Sequence, residues 1–332
     1  MKALITGISG FVGSHLLDFL MENTDWEIYG MLRWRSSLEN IEQWVGHINR
    51  EERIHLVYAD LRDDIAIRHA VKSAQPDFVF HLAAQSYPQT SFSSPLDTID
   101  TNMQGTVRLL EALKEYAPAA LIHVCSSSEV YGRVSRDRLP IKEDCPFQPA
   151  NPYAISKSGA DLVAQHYAAA HGMKIVVTRM FTHTGPRRGD VFVESSFAKQ
   201  IAMIEAGQLP PVVKHGNLDS LRTVCDVRDT VRAYYTILTM RPCSGEVYNI
   251  GGMAVFTIRE ILSQLMAMST VSCRPELDRT RMRPVDADLQ VPDCTKFKAH
   301  TGWEPQIPYQ QTMLDLLNYW RDRIKKHSHL AR

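Results

Sequence analysis

The stretch Ala3-Leu4-Ile5-Thr6-Gly7-Ile8-Ser9-Gly10-Phe11-Val12-Gly13 decides the fold of this 332-residue chain. An apolar run up to Thr6 is typical of a buried strand, and a segment of helical period follows it. The glycines between them form a G-x-x-G-x-x-G pattern, which permits a tight turn and lets the backbone approach a pyrophosphate at the positive end of the helix. This context favours a dinucleotide-binding loop over a purely structural turn. Its candidate residues are Gly7, Gly10, Phe11, Val12 and Gly13.

Short apolar runs bounded by turn residues continue to alternate with segments of helical period along the first half of the chain. The runs after the first are Trp26 to Leu32, Phe78 to Leu82 and Ala120 to Cys125. Such alternation indicates βαβ units and a parallel sheet that is buried on both faces. The expected fold class is therefore α/β, a Rossmann-type doubly wound parallel sheet with a smaller C-terminal substrate-binding lobe.

The second half is less regular, with frequent proline and glycine and three helical patterns, at Phe197 to Ala206, Thr257 to Met268 and Tyr309 to Arg323. We expect residues 1–180 to form the dinucleotide-binding domain, with part of 215–255 returning to it. Residues 181–332 should form mainly the substrate-binding lobe.

Composition and charge exclude several classes of function. The 37 basic and 37 acidic side chains cancel, so no overall field favours nucleic acid or anionic lipid. No apolar run approaches the roughly 20 residues needed to span a bilayer, and the N-terminus has no signal-peptide pattern, which predicts a cytoplasmic protein. The six cysteines show no C-x-x-C pair or zinc-like spacing, so we expect no metal.

The segment after the second predicted strand bears on the choice of cofactor. An NAD site usually has an acidic residue there, whereas this chain has Arg33, Arg35 and Ser36. Guanidinium and hydroxyl groups suit a 2′-phosphate, so we predict NADP, with NAD as the alternative. A solvated basic turn is the structural interpretation of the same residues. Asp60 and Leu61 follow the third strand and are placed to contact the adenine, although an Asp at a strand end is also a common helix cap.

Tyr153 and Lys157 are four residues apart at the start of a helical run, which places both on one helix face. A phenol is a poor base near neutrality because its ordinary pKa is about 10. A nearby ammonium and the positive nicotinamide would favour the phenolate and make Tyr153 a proton carrier for a sugar hydroxyl. Helices acquire such pairs by chance, and the position after a nucleotide loop is what favours a catalytic role.

Ser127 and Glu129 follow the predicted strand Leu121 to Cys125, at the carboxyl edge where ligands of such sheets bind. Strand alternation would place the two side chains on the same side. The hydroxyl could bond a sugar oxygen, and the carboxylate could move a proton next to a ketone.

Together these residues resemble the extended short-chain dehydrogenase/reductase family, and within it the branch of GDP-mannose 4,6-dehydratases and GDP-4-keto-6-deoxymannose reductases. The resemblance covers nearly the whole chain. It is carried by Leu4 to Gly7, Arg35 to Ser37, Leu82 to Ser86, Ser126 to Gly132, Pro152 to Lys157, Gly185 to Gly189, Gly216 to Asp219 and Arg283-Pro284.

The resemblance implies further site residues. Additional cofactor contacts would come from Leu82, Ala83, Ala84, His183 and Arg188, of which the last two would also help to join subunits. The nucleotide sugar would contact Ser86, Ser127, Glu129, Thr182, Val193, Gly216, Asn217, Arg222, Arg283 and Asp286. Arginines opposite a diphosphate make chemical sense because the guanidinium fork matches phosphate oxygens. A homodimer or homotetramer is implied as well.

The implied activity is that of a GDP-sugar 4,6-dehydratase, in which hydride passes to bound NADP and later returns to the product. Thr182 stands where the relatives have asparagine, and this leaves a GDP-hexose other than GDP-mannose, or a GDP-heptose, open as substrate. Parts of the C-terminal half resemble the reductase, so an NAD(P)H-dependent 4-ketoreductase is the alternative. A non-catalytic NADP(H)-binding regulator is a third hypothesis.

Overall fold

The computed structural model describes residues 1–240, 242–282 and 288–327. Six strands lie in the first 180 residues. They are β1 (Lys2–Thr6), β2 (Glu27–Leu32), β3 (Ile54–Tyr58), β4 (Phe78–His81), β5 (Leu121–Cys125) and β6 (Lys174–Met180). The strands that follow are β7 (His183–Thr184), β8 (Val212–His215), β9 (Leu221–Thr223), β10 (Cys225–Asp226), β11 (Val247–Ile250), β12 (Val255–Thr257), β13 (Arg274–Leu277) and β14 (Leu289–Gln290).

Seven strands form one parallel sheet in the order β11-β6-β5-β4-β1-β2-β3. The chain runs outward from β1 in one direction through β2 and β3, and then crosses to β4 and continues in the other. The reversal between β1 and β4 is the topological switch point at which ligands of doubly wound sheets bind. The fold-class prediction is confirmed, and the strand β11 joins the sheet from the second half of the chain.

Some of the helices cover both faces of the sheet, and others form the smaller lobe. The helices are α1 (Phe11–Asn23), α2 (Val45–Asn49), α3 (Asp64–Ala74), α4 (Pro88–Ser93), α5 (Pro95–Ile99), α6 (Gly105–Tyr116), α7 (Pro152–His171), α8 (Val193–Glu205), α9 (Val227–Thr239), α10 (Ile258–Ala267), α11 (Thr295–Thr301) and α12 (Tyr309–His327). No helix in the described part of the chain combines the length and apolarity that crossing a bilayer requires.

The core has two layers around the sheet. On one face, side chains of α1 and α9 such as Leu16 and Ile237 pack against the sheet. On the other face, α3, α6 and α7 contribute side chains such as Val71 and Leu109. Because apolar residues cover both faces, the sheet strands are buried runs rather than alternating ones, as the sequence pattern predicted.

A separate apolar cluster forms the core of the smaller lobe, between α8, α10 and α12. It includes Phe197, Ile261, Leu316 and Trp320. Two small sheets flank this cluster, with the strand orders β12-β9-β14 and β13-β8. The segments near residues 216–222 and 278–282 are connected to these strands. The second of them contacts the start of α8, where Arg281 Nη1 donates to Ser196 Oγ at 3.2 Å.

Candidate active site

The glycine loop turns sharply between β1 and α1 at the switch point of the sheet. Gly7 has a φ of 75°, in the left-handed region that favours glycine. A Cβ on Gly13 would lie 2.2 Å from the Gly7 carbonyl oxygen, so only glycine allows the helix to start so close to the turn. Gly10 caps α1 without a side-chain hydrogen bond, which leaves the first amides of the helix open toward a phosphate.

A buried polar chain fixes the segment that faces this loop. Thr6 Oγ1 accepts hydrogen bonds from the amides of Leu82 and Ala83, each at 3.0 Å, and lies 2.9 Å from His81 Nδ1. Burial lowers the pKa of His81 to about 3, so the ring is neutral, and the Thr6 hydroxyl can donate to Nδ1. The sequence interpretation named Leu82, Ala83 and Ala84 but missed Thr6 and His81, which hold this segment against Gly7.

Arg33 and Arg35 border a cavity of about 510 Å³ beside the ends of β2 and β3. Both guanidiniums are exposed, and neither has a hydrogen bond or a salt bridge within the described part of the chain. Ser36 follows them, its amide bonded to the Arg33 carbonyl at 3.0 Å. Trp34 also lines the cavity with 76% of its surface exposed, its ring edge-on to Tyr58 at 5.7 Å, and the sequence interpretation did not select it.

Asp60 lies on the wall of the same cavity, while Leu61 is buried beneath it. The helix-cap interpretation of Asp60 is wrong, because Asp63 caps α3 by accepting from Ala66. Asp60 instead accepts hydrogen bonds from the Arg62 guanidinium at 2.9 and 3.0 Å, and these lower the pKa of its carboxyl group.

Ser127 and Glu129 lie together at the carboxyl edge of the sheet, but strand alternation is not the reason. The strand β5 ends at Cys125, and residues Ser128–Tyr131 form a short 3-10 helix. Ser127 Oγ caps that helix by accepting from the Glu129 amide at 3.2 Å. The prediction that an extended backbone sets their orientation was therefore wrong, since the chain leaves the strand before reaching them.

Asn151 connects this turn to the helix that carries the tyrosine. Its Nδ2 donates to Glu129 Oε2 at 3.1 Å, and its Oδ1 accepts from the Ala154 amide at 2.8 Å as the N-cap of α7. The sequence interpretation did not select Asn151. The signal was present, because asparagine directly before a proline at the first helical position is typical of a helix start.

Tyr153 and Lys157 are both buried on the first turns of α7, facing the end of β5. Lys157 Nζ donates to the Cys125 carbonyl at 2.6 Å, and burial lowers the pKa of its ammonium. Burial raises the pKa of Tyr153, whereas a hydrogen bond with Ser127 and the charge of Arg188 lower it. The residues therefore form one group around the phenol, with Arg188 as a cation that the sequence interpretation did not place there.

Arg188 and His183 lie on the opposite side of the phenol, next to the first residue of α1. The Arg188 guanidinium centre is 3.4 Å from the centroid of Phe192 and 4.9 Å from that of Phe11. Burial lowers the pKa of Arg188 to about 10, and its Nε has no hydrogen-bond partner in the described residues. The His183 ring stacks on Phe11 at 5.7 Å, and burial lowers its pKa to about 3, so it is neutral.

The other predicted substrate residues are distributed over two places. Thr182 follows β6 near this group, and Ser86 is exposed on the loop after β4. Val193 is the first residue of α8. A Cβ on Gly216 would lie 2.7 Å from the Arg281 carbonyl oxygen, so the segments around Gly216 and Arg281 are in close contact within the smaller lobe.

Asn217 and Arg222 hold the neighbouring segment in place. Asn217 Nδ2 donates to Ser220 Oγ at 3.0 Å, and Arg222 Nη1 donates to the Asp288 carbonyl at 3.1 Å. Arg283 and Asp286, the remaining predicted contacts, lie outside the described residues.

The chain is similar to known proteins over nearly its whole length. A family profile described as GDP-mannose 4,6 dehydratase matches residues 4–316. The GDP-6-deoxy-D-mannose reductase of Pseudomonas aeruginosa is 31% identical over 98% of this chain and 99% of its own length. The GDP-mannose 4,6-dehydratase of Yersinia enterocolitica is 30% identical over 98% of this chain and 95% of its own.

Solved structures are similar over the same range. RMD from Pseudomonas aeruginosa, in a complex with NADPH, superimposes with a TM-score of 0.82 at 30% identity and covers 97% of this chain and 100% of its own. A UDP-glucose 4-epimerase from Thermotoga maritima gives a TM-score of 0.85 at 25% identity, covering 98% and 100%.

Proposed function

The chain belongs to the GDP-mannose 4,6-dehydratase family, and on this premise we propose that it is an NADP-dependent GDP-sugar 4,6-dehydratase. Its substrate is GDP-mannose or a related GDP-hexose or GDP-heptose, and its product is the corresponding GDP-4-keto-6-deoxy sugar. We assign residues 1–180, with part of 215–255, to NADP binding, and residues 181–332 mainly to the nucleotide sugar. Cytoplasmic location and assembly into a homodimer or homotetramer are parts of the same proposal.

The observation that carries the proposal is the position of the Glu129 carboxylate. Asn151 binds one oxygen of the Glu129 carboxylate and also caps α7, the helix that carries Tyr153. One side chain therefore fixes the carboxylate relative to the start of that helix. Glu129 Oε1 has no hydrogen bond within the described residues. A simple ketone reduction needs a proton donor such as Tyr153, whereas elimination of water next to a ketone needs a second group that takes a proton from carbon.

The same geometry supports an order of events. Tyr153, oriented by Ser127, takes the proton of the C4 hydroxyl as that carbon is oxidised. Glu129 then removes the C5 proton and delivers it to the C6 hydroxyl, which leaves as water. When bound, NADP supplies the group that accepts the hydride from C4 and returns it to C6. Arg188 holds positive charge near the phenol and stabilises its deprotonated form.

The residues around the dinucleotide site fit NADP. The open amides at the start of α1 suit the pyrophosphate. Because Gly13 has no Cβ, the start of α1 packs closely against the Gly7 turn, which lets the backbone approach the pyrophosphate. The free guanidiniums of Arg33 and Arg35 suit a 2′-phosphate. The neighbour from Pseudomonas aeruginosa is complexed with NADPH, whereas a UDP-glucose 4-epimerase from Thermus thermophilus is complexed with NAD, which remains the alternative cofactor.

The 4-ketoreductase is the second candidate, favoured by the 31% identity to the Pseudomonas aeruginosa reductase. One experiment separates the two. Protein loaded with NADP and freed of excess cofactor is incubated with GDP-mannose, and the products are followed by mass spectrometry. We expect loss of one water without net consumption of NADPH. Activity confined to NADPH-consuming reduction of a 4-keto sugar would establish the reductase instead, and NADPH binding without any chemistry would support the regulator.

A further inference from the structure

The side chain of Glu194 is almost fully enclosed by the protein. Glu194 lies in the first turn of α8, and only 2% of its surface is exposed. Within the described part of the chain its side chain has no hydrogen bond and no salt bridge. Its oxygens are not among the fully enclosed polar atoms that lack a partner, so the carboxylate keeps a small opening to solvent. A largely desolvated carboxylate without a hydrogen bond carries a free-energy cost that a hydrogen-bond donor entering this opening would reduce. Such a group points to a ligand that satisfies it.

The neighbours of Glu194 place it beside the candidate active site. Its charge acts on the Arg188 guanidinium, which in turn acts on the Tyr153 phenol. The adjacent Ser195 Oγ donates to the Arg188 carbonyl at 2.7 Å, which connects the start of α8 directly to that loop. Glu194 is therefore near the end of the site where the proton transfers take place.

A second polar group without a hydrogen bond lies near Glu194. The Tyr309 hydroxyl is buried without a hydrogen-bond partner among the described residues, and after burial itself the Glu194 charge is the main cause that raises its pKa. The Tyr309 ring stacks on Phe256 at 4.1 Å, and Phe256 is the strand partner of Arg222 in the pairing of β12 with β9. Glu194 thus lies near Arg188 of the candidate active site and, through Tyr309 and Phe256, near the strand of the predicted diphosphate segment.

The chemistry of these groups selects the kind of ligand atom. A carboxylate accepts hydrogen bonds, and a phenol can donate one or accept one. A phosphate is excluded as the direct partner of Glu194 because two negative groups repel each other. Sugar hydroxyls, which donate and accept, match both groups. On the premise of the proposed function, we propose that Glu194 accepts hydrogen bonds from sugar hydroxyls of the bound GDP-sugar, either on the ribose or on the hexose.

Helix stability gives the competing explanation for Glu194. A carboxylate in the first turn of a helix can stabilise it through the helix dipole. The Ser195 hydroxyl fixes the start of α8 independently of Glu194, because it also accepts from Trp320 Nε1 at 2.9 Å, but it does not cap the helix amides. The two explanations predict opposite changes in stability when the charge is removed.

The test compares Glu194→Gln with Glu205→Gln, which makes the same chemical change at the other end of the same helix. Glu205 accepts two hydrogen bonds from Arg321 at 2.7 Å and is therefore a paired carboxylate. We expect Glu194→Gln to raise the Tm of the unliganded protein by about 1 to 3 °C, because removing a largely desolvated charge outweighs the loss of its attraction to Arg188, which lies beyond salt-bridge distance. We expect Glu205→Gln to lower it.

Calorimetric titration with GDP-mannose and with GDP identifies the bound hydroxyl. Glu194→Gln should raise the Kd for GDP-mannose about tenfold, whereas Glu205→Gln should leave it within about twofold. An equal loss for GDP assigns the contact to the ribose, and a loss confined to GDP-mannose assigns it to the hexose. An unchanged Kd for both ligands would overturn the inference. Failure of the unaltered protein to bind GDP as well as GDP-mannose would instead overturn the proposed function on which the inference rests.

Discussion

Replacing Arg33 and Arg35 with alanine should change the cofactor preference without destabilising the fold. Both guanidiniums are exposed and unpaired within the described residues, so their removal leaves no orphaned partner, and we expect Tm to change by less than about 2 °C. A charge-assisted hydrogen bond to phosphate contributes about 1.5 to 3 kcal/mol, and solvent exposure places these two near the lower end. Each single variant should therefore bind NADP about tenfold more weakly, and the double variant about a hundredfold.

The assay is titration with NADP and with NAD at low and at high ionic strength. Affinity for NAD, which lacks the 2′-phosphate, should stay within about twofold, and added salt should shrink the NADP difference because exposed charges are screened. Arg62→Ala is the matched control, since Arg62 lies nearby in the chain and is already paired with Asp60 and Asp97 at 2.9 and 2.6 Å. Equal losses of NADP and NAD affinity in the double variant would refute the assignment of these arginines to the 2′-phosphate.

Three further predictions concern the proton-transfer group and the helix that carries it. Glu129→Gln should abolish water loss, and with it the exchange of the C5 proton with solvent, while NADP affinity stays unchanged; normal turnover would remove Glu129 from the mechanism. Arg188→Met should move the rising limb of the pH–rate profile to higher pH, because the guanidinium lowers the pKa of Tyr153 and the phenolate is the active form; an unmoved limb would contradict this role. Asp161→Asn should reduce the free energy of unfolding by about 3 to 5 kcal/mol and lower Tm by about 4 to 7 °C. The reason is that Asp161 forms a buried salt bridge with Arg179, in which the two side chains are only 0% and 5% exposed. A Tm loss under 2 °C in thermal denaturation would show that the pair contributes little.

Much of the fold could be predicted from the sequence because its determinants are local. Strand and helix periods stand in consecutive residues. β1 ends at Thr6, as the apolar run predicted, and α1 begins at Phe11 within the glycine pattern. The turn at Gly7 is likewise a property of its own backbone, which requires a positive φ. Tyr153 and Lys157 share a helix face through their spacing alone. These inferences needed no knowledge of what packs against each segment.

The prediction for Ser127 and Glu129 shows where local reasoning stops. The residues were correctly placed at the sheet edge, but the reason was wrong, since the chain turns into a 3-10 helix after Cys125. Asn151 and the pair of Thr6 with His81 were missed because their contacts join distant segments. Nothing in the residues around Asn151 indicates that a carboxylate 22 positions earlier would be its partner.

The sequence by itself determined the doubly wound sheet, the nucleotide loop and the types of group available for proton transfer, because these depend on patterns along a few turns of chain. Only the tertiary structure decided which charges are satisfied. Glu194 and Glu205 are the same residue type on one helix, yet Glu205 is paired with Arg321, whereas Glu194 makes no hydrogen bond among the described residues and is buried near Arg188. Whether a carboxylate is paired depends on what the rest of the chain brings within about 3 Å of it, and the spacing of residues along a helix does not carry that information.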